Sequence, residues 1–256
     1  MSLLLLATLA LVGFASGFVD AIAGGGGLLT LPSLALAGLD PIAAVATNKL
    51  AGTFGTASAT LAFARAGKIK SNMTPAAFAA CVGSILGALA LPYAPRALLS
   101  HALPFVLIGV ALYFAFTPSL ADAQRRQRLS PALYASTLAP AIGFYDGVFG
   151  PGAGSFYMIA LVALVGLEFI PAMAGARSSN FGSNFGALVV YALSGHIVVA
   201  AGLAMGVGAF LGARLGARTA LRAGAWLVRL LIVVVSCAMA LRLMAAPGGP
   251  LSFLLG

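Results

Sequence analysis

The sequence predicts an all-α polytopic membrane protein made of two inverted repeats of about five helical segments each, with one short broken half-helix per repeat. Three observations predict it. Of 256 residues, 61% are hydrophobic and only 7% are charged, whereas a soluble domain carries about a quarter charged residues. Most of such a chain must lie in lipid, where a spanning segment is a helix or part of a closed barrel. Long apolar runs, rather than alternating segments of about ten residues, select helices. Second, the chain repeats itself. Gly17-Phe18 matches Gly143-Phe144, Asp20 matches Asp146, Gly24 to Gly27 match Gly150-Pro151-Gly152-Ala153-Gly154, Lys49 matches Arg177, and Gly67 matches Gly195. Third, the cations sit in short loops between apolar runs, where they set orientation. The net charge of +9 therefore implies a membrane partner and no nucleic acid.

The first run, 3–22, resembles a signal peptide but lacks a positive n-region. It occupies the place that 132–149 takes in the second copy, so it reads as the first membrane helix. Four glycines end it, each costing about 1 kcal/mol relative to alanine inside a helix. The chain resumes over 27–38, shorter than the roughly 20 residues needed to span. Asp40-Pro41 turns it into 42–64, and helices follow at 75–92 and 100–117. The second copy reads 132–149, 154–166 (short again, after Pro151 has removed a backbone donor), 169–193, 198–216 and 225–244. The organisation is a first membrane repeat, 1–117, a cytoplasmic linker, 118–131, and a second membrane repeat, 132–256.

Whether the two short segments cross decides the symmetry. With eight spans the halves are parallel, and Arg214, Arg218, Arg222 and Arg96 face away from Arg65, Lys68, Lys70, Arg125, Arg126 and Arg128. With ten crossings, all but Arg96 share one face, as the positive-inside rule prefers. An odd number of crossings per repeat gives inverted symmetry. Both termini then lie on the periplasmic side.

Lys49 and Arg177 each lie about eight residues into a long helix, about 12 Å along its axis. That is deep in a membrane core of about 30 Å, and a cation there needs a partner or a cavity. Around them stand Thr47, Asn48, Thr53 and Thr56 in the first half and Ser178, Ser179, Asn180 and Asn184 in the second. The glycine breaks, with Gly25 and Gly26 in one half and Gly152 and Gly154 in the other, offer free amides and the positive ends of new helices. Such a set suits a small oxyanion, with Arg177 as a two-pronged donor and Lys49 as a point charge. The bland reading is internal ion pairing: in an inverted arrangement Asp20 lies toward Arg177 and Asp146 toward Lys49. An acid alternating between cation and proton would make the two readings compatible. Gly83-x-x-x-Gly87 and Gly208-x-x-x-Gly212 read instead as close helix packing by small residues. Small-residue faces would also suit a homodimer.

No enzyme is expected. Cys81 and Cys237 sit alone in apolar runs, His101 and His196 are isolated, and no metal-ligand spacing occurs. The expectation is no catalytic residue, no metal and no cofactor.

The stretch GFVDAIAGGGGLLTLPSLALAG followed by ATNKLAGTFGT, with GPGAGSF and ARSSNFGSN in the second half, resembles the TauE/SafE sulfite-exporter family of bacterial membrane permeases over nearly the whole chain. The resemblance implies a multi-pass inner-membrane transporter of sulfur-containing anions, among them sulfite, thiosulfate and organosulfonates such as sulfoacetate, with export as the direction. It carries the family's polar motifs onto Asn48, Lys49, Arg177, Ser178, Ser179 and Asn180. The rival readings are an anion channel using the same cations and a non-transporting membrane protein whose buried charges only pair.

Overall fold

The computed structural model describes residues 1–69, 71–93 and 127–245, and beyond Arg222 the backbone alone. Among the described residues the structure is helical, with no strand. Ser2 caps helix α1 (Leu3–Ala23), its hydroxyl accepting the Leu5 N–H, and Gly24 ends that helix in the left-handed region at φ 84°. A short α2 (Gly27–Leu36) follows. Asp40 then caps α3 (Pro41–Arg65), accepting the N–H groups of Ile42 and Ala43, with Pro41 in the first turn where its missing donor is harmless. Next come α4 (Thr74–Ala90), α5 (Pro131–Ser136), α6 (Leu138–Val148) and α7 (Ala153–Ile159), the last continuing as a π-turn over Ala160–Leu164. Two long helices, α8 (Phe169–Ser194) and α9 (Val199–Ala245), complete the described residues.

Among the described residues three stretches are long and apolar enough to cross a membrane: Leu3–Ala23, Thr74–Tyr93 and Val199–Arg222. Helices α3 and α8 match them in length but carry belts of buried polar residues. Gly27–Leu36 and Ala153–Leu164 are apolar and short, as expected of half-helices.

Two expected boundaries are corrected. The segments 198–216 and 225–244 form one helix of 47 residues, about 70 Å long at 1.5 Å per residue. The stretch between them, Ala217 to Gly224, is mostly alanine, leucine and arginine without proline, so nothing local stops the helix. Conversely, 132–149 is broken at Thr137 (φ −121°, ψ −69°), three residues before Pro140, which cannot donate to the preceding turn. The segment 100–117 and residues 118–126 of the linker lie outside the described residues.

The duplication is visible in the backbone. Gly24 and Gly150, Gly38 and Gly166, and Gly67 and Gly195 all have positive φ at matched places in the two halves. Packing is reciprocal too: α1 runs along α9, and α4 runs along α6. Small residues permit the close approach. A Cβ on Gly83 or Gly87 would strike the backbone of Pro140 or Phe144, and one on Gly208 or Gly212 that of Ala10 or Phe14. Cys81 sits against Gly186 in the same manner.

Among the described residues two apolar clusters form the core. One joins the end of α3 (Ala59, Phe63) to the start of α8 (Ala172 to Ala176), with Tyr134 and Tyr157. The other joins the start of α3 (Ala44 to Ala46) to the end of α8 (Ala187, Tyr191), with Leu31 and Met205. Helices α3 and α8 therefore run antiparallel through both. Their polar belts lie between.

Candidate functional site where the two breaks meet

The breaks in the two halves touch. The Ser155 hydroxyl, in the first turn of α7, donates to the Ala23 carbonyl at the end of α1. A Cβ on Gly24 would strike Gly154 and Ser155, and one on Gly27 would lie 3.1 Å from Pro151 Cα. Glycine is needed here because two backbones cross at contact distance. The first break is held by its own half: Ser16 donates to the Gly26 carbonyl (2.9 Å), and Asp20 Oδ1 accepts the Gly26 N–H (3.0 Å). In the second, Tyr145 donates to the Pro151 carbonyl (2.6 Å) and Tyr191 to that of Gly147 (2.8 Å).

Against these breaks α3 and α8 set their charges. Lys49 is fully buried, and its Nζ lies 2.6 Å from Asp146 Oδ1. The other oxygen of Asp146 accepts the Ser183 hydroxyl at 2.5 Å. Arg177 is fully buried as well. Its Nη1 donates to the Asp20 carbonyl (2.5 Å) and lies 3.6 Å from Asp20 Oδ2, while Nη2 donates to the Gly154 carbonyl (3.2 Å). Its Nε has no hydrogen-bond partner among the described residues. Each cation thus meets the acid of the opposite half, in the pairs Lys49–Asp146 and Arg177–Asp20. Two positive and two negative groups make the cluster formally neutral.

A cavity of about 40 Å³ lies among these groups. A water needs about 10–15 Å³, so the space takes a few waters or one small ion. Its wall includes Asp20, Asp146, Asn48, Asn180, Gly26 and Gly154, joined by Thr30, Thr56 and Asn184. Lys49, Arg177, Ser178, Ser179, Gly25 and Gly152 stand off this wall. The cations point at carboxylates and carbonyls, and the acids and amides face the space.

Sequence reasoning missed Ser183, Thr30 and Ser16. Ser183 and Asn184 follow Asn180 by three and four residues, the spacing of one helical face. Thr30, whose hydroxyl donates to Asn48 Oδ1 at 2.5 Å, left no such trace, because its partner lies 18 residues away in the next helix. Among the described residues no group of three or more histidines, cysteines or acids could hold a metal.

The profile of the family described as Sulfite exporter TauE/SafE matches residues 9–243. The chain belongs to that family. It is 46% identical over 98% of its length to a Sinorhizobium protein named Probable membrane transporter protein ORF9, covering 97% of it. It is 42% identical over 94% of its length to Probable membrane transporter protein YfcA of Escherichia coli strain K12, covering 90% of it. A Probable membrane transporter protein of Haemophilus influenzae is 40% identical over 95% of this chain and 96% of its own. No solved structure matches. The TauE/SafE member described here is a membrane transporter and not an enzyme.

Proposed function

We propose that this protein is a secondary transporter of small sulfur-containing anions, sulfite-like oxyanions or compact organosulfonates, working by alternating access. The observation that carries the reading is the cavity between the two glycine breaks, with a buried cation of each half clamped by the acid of the other. Export rests on the family's description, and the bacterial inner membrane is the location that goes with it. The antiparallel run of the counterpart helices α3 and α8 supports inverted repeats.

The cluster's neutrality supplies the mechanism. An anion entering the cavity competes with Asp146 for Lys49 and with Asp20 for Arg177. Protonation of a displaced acid leaves its cation free for the anion, so anion and proton bind together. Asn48, Asn180 and the amides at Gly26 and Gly154 complete the anion's shell, and Ser178 and Ser179 join it when α8 turns. Gly25 and Gly152 act as hinges as one repeat moves against the other. The rival channel would pass anions without a proton.

Proteoliposomes holding the purified protein test this. Sulfite or thiosulfate flux that saturates, moves protons and fails in Lys49→Ala supports the proposal. Flux that is unsaturable and proton-independent establishes a channel. No anion flux, with charge-free Lys49→Met/Asp146→Leu as well folded as wild type, leaves the charges a structural role only.

A further inference from the structure

A second concave site lies on the outer surface, between the end of α3 and the middle of α9. Its walls carry Arg65, Arg214 and Arg218 together with Leu61, Phe210 and Leu221, around about 140 Å³ of space. That is several times the volume of the central cavity. All three arginines are exposed, and among the described residues none has a carboxylate within 4.0 Å. Three guanidiniums around one groove repel each other, and an anion between them removes that repulsion.

The groove does not belong to the central cavity. At about 100° per residue, Arg214 and Arg218 stand about 140° and 180° around α9 from Ala209, which lines that cavity. They fall instead on the face of Leu203, Val207 and Leu211, which are 44%, 55% and 54% exposed. The seam between the two spaces is closed by Ser58, whose hydroxyl donates to the Phe210 carbonyl at 2.8 Å. An exposed apolar stripe on a membrane protein faces acyl chains, and here it runs directly into the arginines. The arrangement complements the plan of a phospholipid: cations for the anionic group at one end, an apolar stripe for the hydrocarbon along the rest. Guanidinium forks match phosphate oxygens in pairs.

We propose that this groove binds the phosphate of an anionic phospholipid, whose acyl chains lie along the Leu203–Leu211 stripe of α9. The lipid fills the outer side of the α3–α9 seam and joins a helix that carries Lys49 to its neighbour.

Native mass spectrometry of the detergent-purified protein tests this with phosphatidylglycerol, phosphatidylcholine and inorganic phosphate as separate probes. Wild type should retain phosphatidylglycerol over phosphatidylcholine. Arg65→Gln/Arg214→Gln/Arg218→Gln should weaken that retention by about tenfold or more, leaving phosphatidylcholine unaffected. Lys68→Gln, which removes an exposed cation outside the groove, should keep the preference. If the triple variant aggregates, Arg218→Gln alone should show a smaller loss of the same lipid. Equal retention of phosphatidylglycerol by wild type and the folded arginine variants would overturn the proposal. So would inorganic phosphate displacing the lipid at equal concentration, which would make the groove a site for free anions.

Discussion

The two charge pairs come from matched positions of one repeated unit, yet they are built differently. Lys49 meets Asp146 head-on at 2.6 Å, with Ser183 steadying the acid and both partners shut off from solvent. Arg177 stands 3.6 Å from an Asp20 carboxylate that is 15% exposed, and spends its shorter bonds on the carbonyls of Asp20 and Gly154. An ammonium is a point charge, and here a carboxylate satisfies it. A guanidinium is a fork, and it can fasten two pieces of backbone at once. Duplication therefore produced one station where charge is held by charge and another where charge holds the breaks together. In the proposed mechanism the first is the station that exchanges with a proton, and the second follows how the two repeats sit.

The largest effect that would break this contrast is expected at Lys49. Lys49→Ala leaves Asp146 buried without its partner, a loss of about 3–5 kcal/mol. Its thermal midpoint in detergent should fall steeply and transport should vanish. Lys49→Met/Asp146→Leu should recover most of the stability and none of the transport; a midpoint as low as that of Lys49→Ala would refute the pairing. Next comes Arg177→Lys, which keeps the charge and loses the fork. Flux should drop by tenfold or more, corresponding to about 1.4 kcal/mol or more, and the Arg177 pair is only electrostatic if flux is retained.

Ser183→Ala removes a hydrogen bond to a charged group, about 1.5–3 kcal/mol, and sharpens the comparison because among the described residues the Arg177 pair has no such hydroxyl. Gly154→Ala places a methyl 2.8 Å from Arg177 Nη1, and overpacking of this kind costs about 1–3 kcal/mol. Part of its effect should disappear in an Arg177→Ala background, a double-mutant cycle that separates this contact from those the methyl also makes with Asn180 Nδ2 (2.8 Å) and Gly24 Cα (3.0 Å). The smallest change is expected for Asp20→Asn. The pair is long, at 3.6 Å, Arg177 keeps its bonds to the Asp20 and Gly154 carbonyls, and the amide oxygen can still accept the Gly26 N–H. A midpoint shift as large as that of Asp146→Asn would show that the two stations are equivalent after all.

Much of this was legible in the residues. Composition is a local quantity, and it was enough to require membrane helices. Glycine and proline act within a turn, so the breaks at Gly24 and Gly150 and the helix start at Pro41 could be read directly. The depth of Lys49 and Arg177 followed from counting along a helix, and the duplication from comparing one half with the other. Helix ends with no punctuation were less legible: nothing between Ala217 and Gly224 separates a joined helix from two segments, and hydropathy alone suggested a division.

The sequence by itself determined the class of the protein, its repeated plan and the depth of its two cations, because hydropathy, helix breaking and residue spacing are properties of neighbours along the chain. Only the tertiary structure decided where those cations point. It turned Lys49 and Arg177 toward acids 97 and 157 residues away, and left Asp20, Asp146 and three asparagines on the cavity wall. A buried charge settles on the nearest group that can neutralise or solvate it, and which group is nearest depends on how the two halves fold together.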